Sequence, residues 1–318
     1  MSPKITTVVP PPPPTATDAG PATAPAYGSK AFQGDATLKK VAAGAIPAIK
    51  QGAPRSDSVK TVQTALYSLG FLPNRTGIDG AFGPGTKAAI VAFQAKNGVA
   101  QTGALDPATL AAIDKSAGAQ IAQLKAQTLP EGSKRGKYQI VADIANSGRT
   151  RLYVMGPGGK VVDRFLTSPG KSPYETQGNS FTIPQVLVRA PWNPPNSGWA
   201  QNAKQVPPGI DNPMGIAKLS LGAYSEYIHG IPPSEEAELG HAASHGCLRV
   251  SGSNVLKILE KYAEAGTKVT INRDAGQSAE LEAKFQDAGA RDNPTDAGRE
   301  YMFGYASGEL GRGQSYPG

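Results

Sequence analysis

Cysteine is almost absent: Cys247 stands alone among 318 residues, so no intramolecular disulfide can staple this chain. Histidine is nearly as scarce, with three. Charge is thin too, since Asp, Glu, Lys and Arg make 18% of the chain, against roughly 25% in an average globular protein. No run approaches the roughly 18 apolar residues of a membrane-spanning helix. Residues 1–25 hold only Ile5, Val8 and Val9 as large apolars, too few for the core of a conventional secretory signal. Export without such a signal, a cytoplasmic home and a missing leader all stay open. The net charge of +7 is scattered, with no arginine-rich block or basic helix face. Composition alone therefore leaves nucleic acid, a membrane surface and an anionic wall polymer open as partners.

Glycine and proline are abundant instead, 38 and 28 residues. Five prolines at 10–14 impose an extended segment, and we expect residues 1–54 to be a mostly disordered leader. Order is expected from Ser56, where Val59, Val62, Leu66 and Leu69 recur at helical spacing. A glycine-punctuated loop at 77–86 precedes a second helix over 86–96. In a third, Asp106 caps and Pro107 takes the first helical position. This gives an all-α three-helix module at 55–115, followed by a polar, alanine-rich tether at 116–137 with scope for a short helix around 118–127.

From Tyr138 the period changes to that of strands, at 138–144, 150–155, 160–167 and 183–189. A long proline- and glycine-rich region, about 190–222, follows; compact domains keep such segments mainly for function. Residues 224–229 read as a further strand, 251–265 as a helix and 267–271 as a closing strand. The fold expected is multidomain: the helical module plus a mainly β domain at 138–273, a sandwich or barrel. The tail at 274–318 carries eight acidic and four basic residues and is expected to be disordered.

The three histidines, His229, His241 and His245, all lie within 18 residues of Cys247. A free thiol is mostly protonated at neutral pH, so a nucleophilic cysteine needs an imidazole to take its proton. Ser244–His245–Gly246–Cys247 also offers backbone N–H groups to a developing oxyanion. A zinc site has compatible ligand types, but Gly246 argues against a rigid helix carrying His241 and His245. A papain-like peptidase is disfavoured by chain order, because every histidine precedes the cysteine. An inert buried cysteine is the remaining alternative.

Two stretches resemble known families. Gln63–Leu66–Leu69–Gly70–Phe71, Asp79–Gly80–Phe82–Gly83–Pro84–Thr86, Phe93–Gln94 and Thr102–Gly103–Leu105–Asp106–Thr109 resemble the three-helix peptidoglycan-binding domain. Ile228–His229–Gly230, a 13-residue interval and Ser244–His245–Gly246–Cys247–Leu248–Arg249 resemble the L,D-transpeptidase catalytic domain. Thr167–Ser168–Pro169–Gly170–Lys171 and Asn212–Pro213–Met214–Gly215 fit the same family. The sequence departs from it at Tyr174–Gly178, which lacks the usual threonine–proline–glycine turn, and at His241.

The resemblance implies that Cys247 forms a thioester with a peptidoglycan stem peptide, releasing D-alanine. His229 would be the base, Gly230 its orienting carbonyl, and Ser244, His245 and Gly246 the surrounding loop. It further implies substrate contacts from Arg249, with a loop-bracing salt bridge as the alternative, from Tyr224 and Trp192, with core packing as the alternative, and from Met214, and wall contacts from Asp79, Gly80 and Phe82. The partner would be peptidoglycan, not nucleic acid, with no metal or organic cofactor and a place in the cell envelope or periplasm. The acyl acceptor could be a stem amine, a D-amino acid, a protein lysine or water. An antibacterial effector exported through secretion machinery, and an inactive wall-binding protein, are the competing readings.

Overall fold

The computed structural model describes residues 27–127, 132–144, 149–222, 226–273, 277–285 and 298–311. Five helices come first: α1 (Lys30–Gly34), α2 (Ala36–Ala42), α3 (Asp57–Ser68), α4 (Pro84–Lys96) and α5 (Pro107–Gln127). In α3 the Ser56 hydroxyl accepts the Val59 amide at 3.2 Å, and Val59, Val62 and Leu66 turn inward. Pro84 and Pro107 open α4 and α5, where the missing N–H costs nothing. Gln63, fully buried, pins the glycine-rich loop. Its amide nitrogen donates to Asp79 Oδ1, Ala81 O and Thr86 Oγ1, and its carbonyl accepts the Gly80 amide.

Three expectations need correction. The leader is packed from Tyr27 onward: Phe32, Leu38 and Val41 are buried, and Asp35 caps α2. The tether is the second half of α5, because Ala117, Ile121 and Leu124 continue the buried stripe of its first half. The tail also docks. In α8 (Met302–Ser307), Phe303 meets Phe32 edge-on at 5.6 Å, and its amide donates to Ser68 Oγ at 2.8 Å. In each case apolar residues too sparse to show a period find partners far along the chain. The polyproline run and residues 286–297 and 312–318 lie outside the described residues.

The rest is mainly β, in two sheets. The first has the order β3 (Val161–Leu166), β2 (Arg151–Met155), β1 (Gln139–Asp143), β9 (Lys268–Asn272), β4 (Ser180–Thr182). The second runs β5 (Val186–Val188), β6 (Ala217–Ser220), β7 (Tyr227–His229), β8 (Leu248–Arg249). Pairing is antiparallel except for β1 with β9 and β7 with β8. Helix α6 (Gly252–Lys261), capped by Ser251, adds Val255, Leu256 and Leu259 to a core shared with Leu219, Ile228 and Leu248. A short helix, α7 (Ser278–Ala283), covers the outer face of the first sheet through Leu281.

Helical module and sheets share one apolar core. Their polar joint is Arg75, wholly buried, whose Nε donates to Glu236 Oε1 at 2.5 Å. Its guanidinium also donates to the Ile231 carbonyl, two residues beyond His229. Gly252 faces this guanidinium so closely that a Cβ there would stand 1.9 Å from it.

Candidate active site

The site grows from the parallel pairing of β7 with β8, which sets Ile228 beside Leu248 and His229 beside Arg249. Side chains alternate along a strand. Ile228 and Leu248 therefore enter the core, both fully buried, and His229, Tyr227, Arg249 and Cys247 share the opposite face. One register step separates the levels of Cys247 and His229.

His229 Nδ1 lies 2.5 Å from the Gly230 carbonyl. A carbonyl only accepts, so Nδ1 carries the hydrogen and Nε2 keeps its lone pair. Burial pulls the His229 pKa down to about 4, opposed by that carbonyl and aided by the charges of Arg249 and Lys218. Burial pushes the Cys247 thiol up to about 11; Glu226 adds to the rise, while the Tyr227 amide and Lys218 oppose it. At neutral pH the pair rests as neutral imidazole and neutral thiol.

The loop before Cys247 is held by its own backbone. Ser244 Oγ donates to the Cys247 carbonyl at 2.6 Å and accepts the Gly246 amide at 3.1 Å. Gly246 adopts φ +112°, a conformation that only glycine takes readily. Its amide is thus engaged and unavailable to an oxyanion, a correction to the expected role of that N–H. The His245 and Cys247 amides have no acceptor among the described residues. Gly170 lies directly beneath, where a Cβ would collide with the Tyr174 carbonyl at 1.9 Å and the Gly246 nitrogen at 2.9 Å. Gly215, at φ +62°, packs on Gly230 with room for no side chain, so the Asn212–Gly215 turn backs the His229 strand. Asn212 fixes that turn by accepting the Met214 amide at 2.8 Å.

Other expected residues fall less centrally. His245 is exposed, stacked under Trp199 at 4.1 Å and flanked by Tyr174 at 4.9 Å. His241 is also exposed and lines a cavity of about 310 Å³ with Glu175, Thr176, Gly240 and Arg273. The Arg249 guanidinium pairs with Glu238 at 2.9 Å and with Glu235, so it braces the loop after His229. Expected as a substrate contact, it is already occupied. Met214 is buried and Trp192 bridges to Val206, which makes both part of the scaffold. Tyr224 lies outside the described residues. Phe82 is buried, Gly80 holds φ +78° against Ser56, and Asp79 accepts the Ala81 amide at 2.9 Å. Phe82 and Gly80 shape the module's loop from within, and Asp79 braces it from the exposed side.

Four further residues were not legible. Thr176, buried, receives the Gly170 amide and donates to the Gly246 carbonyl, both at 2.8 Å, so it buttons the two loops together. Lys218 on β6 stands opposite His229. Glu226 is buried beside Gly246, accepts the Gln177 amide at 3.2 Å, and keeps Oε2 without a hydrogen-bond partner among the described residues; burial raises its pKa. Trp199 sits in the proline-rich region, which did signal function without naming a residue. Ala217, Leu219 and Leu221 alternate with Lys218 and Ser220, a short strand signal that could have found Lys218 but sits inside the proline- and glycine-rich stretch.

Residues 137–271 match the family model of the L,D-transpeptidase catalytic domain, and 55–113 that of the peptidoglycan binding domain. Both resemblances read from the sequence are borne out. The chain is 30% identical over 162 residues to "Probable L,D-transpeptidase ErfK/SrfK" of Escherichia coli K12, covering 48% of this chain and 49% of that protein. It is 29% identical over 154 residues to "Probable L,D-transpeptidase YcfS" of the same organism, covering 45% of each. The chain thus spans about half the length of the curated relatives it matches. Among solved structures, an L,D-transpeptidase from Mycobacterium tuberculosis aligns at TM-score 0.33 and 15% identity, over 43% of this chain and 58% of that one.

Proposed function

We propose that the chain is a cysteine acyltransferase acting on peptidoglycan stem peptides, an L,D-transpeptidase with Cys247 as nucleophile. The observation that carries this reading is the common face of His229 and Cys247 on paired parallel strands, with the lone pair of Nε2 left free. His229 Nε2 takes the thiol proton as Sγ attacks the carbonyl of the third stem residue. The Gly230 carbonyl does the orienting work that a carboxylate does in other triads. The Cys247 amide, with that of His245, faces the developing oxyanion. Collapse expels D-alanine, whose amine leaves with the proton from His229, and a thioester remains. An incoming amine then gives a cross-link or an exchanged terminus, and water gives a tripeptide. The stacked Trp199, His245 and Tyr174 form the exposed rim of this cleft, and the helical module keeps it near its polymer.

The experiment is incubation with disaccharide-tetrapeptide, with and without D-methionine, resolved by mass. Dimers, methionine-bearing products or tripeptide each identify one acceptor. Loss of all three in Cys247→Ala is expected; retained activity in that variant sinks the mechanism.

A further inference from the structure

Cys247 has charged or titratable neighbours on every element packed against it. Lys218 comes from β6, Glu226 and His229 from the β7 side, Arg249 from its own strand, and His245 from the preceding loop. Most are already committed. Arg249 is held by Glu235 and Glu238, His245 lies under Trp199, His229 is bound to the Gly230 carbonyl, and Glu226 is an acid rather than a base. Lys218 differs. It makes no ion pair among the described residues, and it is half-buried on the face that carries the nucleophile.

Its direction is fixed by two observations. Register sets Lys218 straight across from His229, so its stem emerges on the imidazole's level. Its Nζ nevertheless lies over the Tyr227 ring, 5.0 Å from the centroid. Extending the β7–β8 register one residue beyond Ile228 and Leu248 brings Tyr227 level with Cys247. The side chain has therefore leaned one step along the sheet, away from His229 and toward the sulfur.

We propose that Lys218 is a positioning residue for acyl transfer, its ammonium being the counter-charge that the Cys247 thiolate meets as the thiol proton leaves. The S–H bond breaks, the proton goes to His229 Nε2, and the electron pair stays on Sγ. Lys218 keeps its own proton throughout. The same ammonium disfavours the imidazolium, but it sits on the level of the sulfur, so the thiolate gains more than the imidazolium loses. Burial lowers the Lys218 pKa and the thiolate raises it, as a facing pair requires. The contribution to turnover rests on the acyltransferase reading above; the effect on the thiol does not.

The test is alkylation of the chain's single cysteine by iodoacetamide, followed by mass without any substrate. Losing the charge in Lys218→Met should raise the thiol pKa by about one unit. The remaining thiolate is somewhat more nucleophilic, so alkylation at pH 8 should slow about threefold. Lys218→Arg should keep the wild-type rate, and Lys218→Gln, which retains polarity, should slow like Met. An unchanged rate in Met and Gln, or an equal slowing in Arg, overturns the proposal. So does a fall in kcat/KM with unchanged alkylation, which would assign Lys218 to a substrate carboxylate. Absence of turnover on tetrapeptide with the alkylation pattern intact would sink the function and leave the charge effect standing.

Discussion

Two arginines grip the turn at 233–238 from opposite sides, in opposite surroundings. Arg75 reaches it from the helical module and is wholly buried; its partner Glu236 is 5% exposed. Arg249 reaches it from β8 and meets Glu235 and Glu238, which are 37% and 52% exposed. A buried ion pair sits in a low dielectric, where its partners have no water to fall back on. The Arg249 side chain is itself only 11% exposed, but its two carboxylate partners reach water and stay solvated when it is lost. The turn follows directly from His229, so the module's docking and the position of the base share one segment of chain. Arg75 fixes where the module sits. Arg249 is the one whose charge reaches the imidazole.

Breaking the buried side should have the larger effect. Arg75→Ala leaves Glu236 charged or protonated in an apolar joint and should cost about 3–5 kcal/mol, read by thermal or urea unfolding. Replacing both partners, as Arg75→Met with Glu236→Leu, should recover most of that loss, since two apolar groups need no hydrogen bonds. A double variant as unstable as Arg75→Ala would show that the joint depends on its charge. Arg249→Gln should cost under about 1 kcal/mol in the same measurement.

The smallest effect is on pH dependence, and it separates the arginines most cleanly. His229 must be neutral to take a proton, and its pKa lies near 4. Activity should therefore hold as pH falls through the ordinary histidine range and drop only near pH 4, in a kcat/KM profile. Arg249→Gln removes a cation that disfavours imidazolium, so its acid limb should move up by a few tenths of a unit. In the Arg75→Met, Glu236→Leu variant the limb should stay in place. A wild-type limb near the unperturbed value of about 6.5 would show that burial does not govern this imidazole.

Local chemistry made much of this molecule legible. The caps at Ser56 and Asp106, the prolines at 84 and 107, and the stripe of Val59, Val62 and Leu66 placed α3, α4 and the start of α5 within a residue or two. Clustering of the histidines singled out Cys247 as the proposed nucleophile, and the family resemblance singled out His229 as the proposed base. Phe32, Leu38 and Phe303 did not announce themselves, because their partners are up to 271 residues away, as in the Phe32–Phe303 contact. Strands β4 and β8 are three and two residues long, too short to carry a period, and the brief alternation of β6 is masked by the proline- and glycine-rich stretch around it. With β6 unseen, Lys218 could not be placed against His229.

The sequence by itself determined which side chains can do the chemistry, since one thiol and three imidazoles in 318 residues leave few choices. It also determined where backbone freedom is needed, as at Gly246 and Gly215. Tertiary structure alone decided the protonation states and the loyalties of the charges. Burial holds His229 and Cys247 neutral, Glu235 and Glu238 occupy Arg249, and the β6–β7 register sets Lys218 opposite His229. The reason is physical: desolvation and Coulomb energy depend on neighbours in space, and those neighbours come from strands that sequence order does not place side by side.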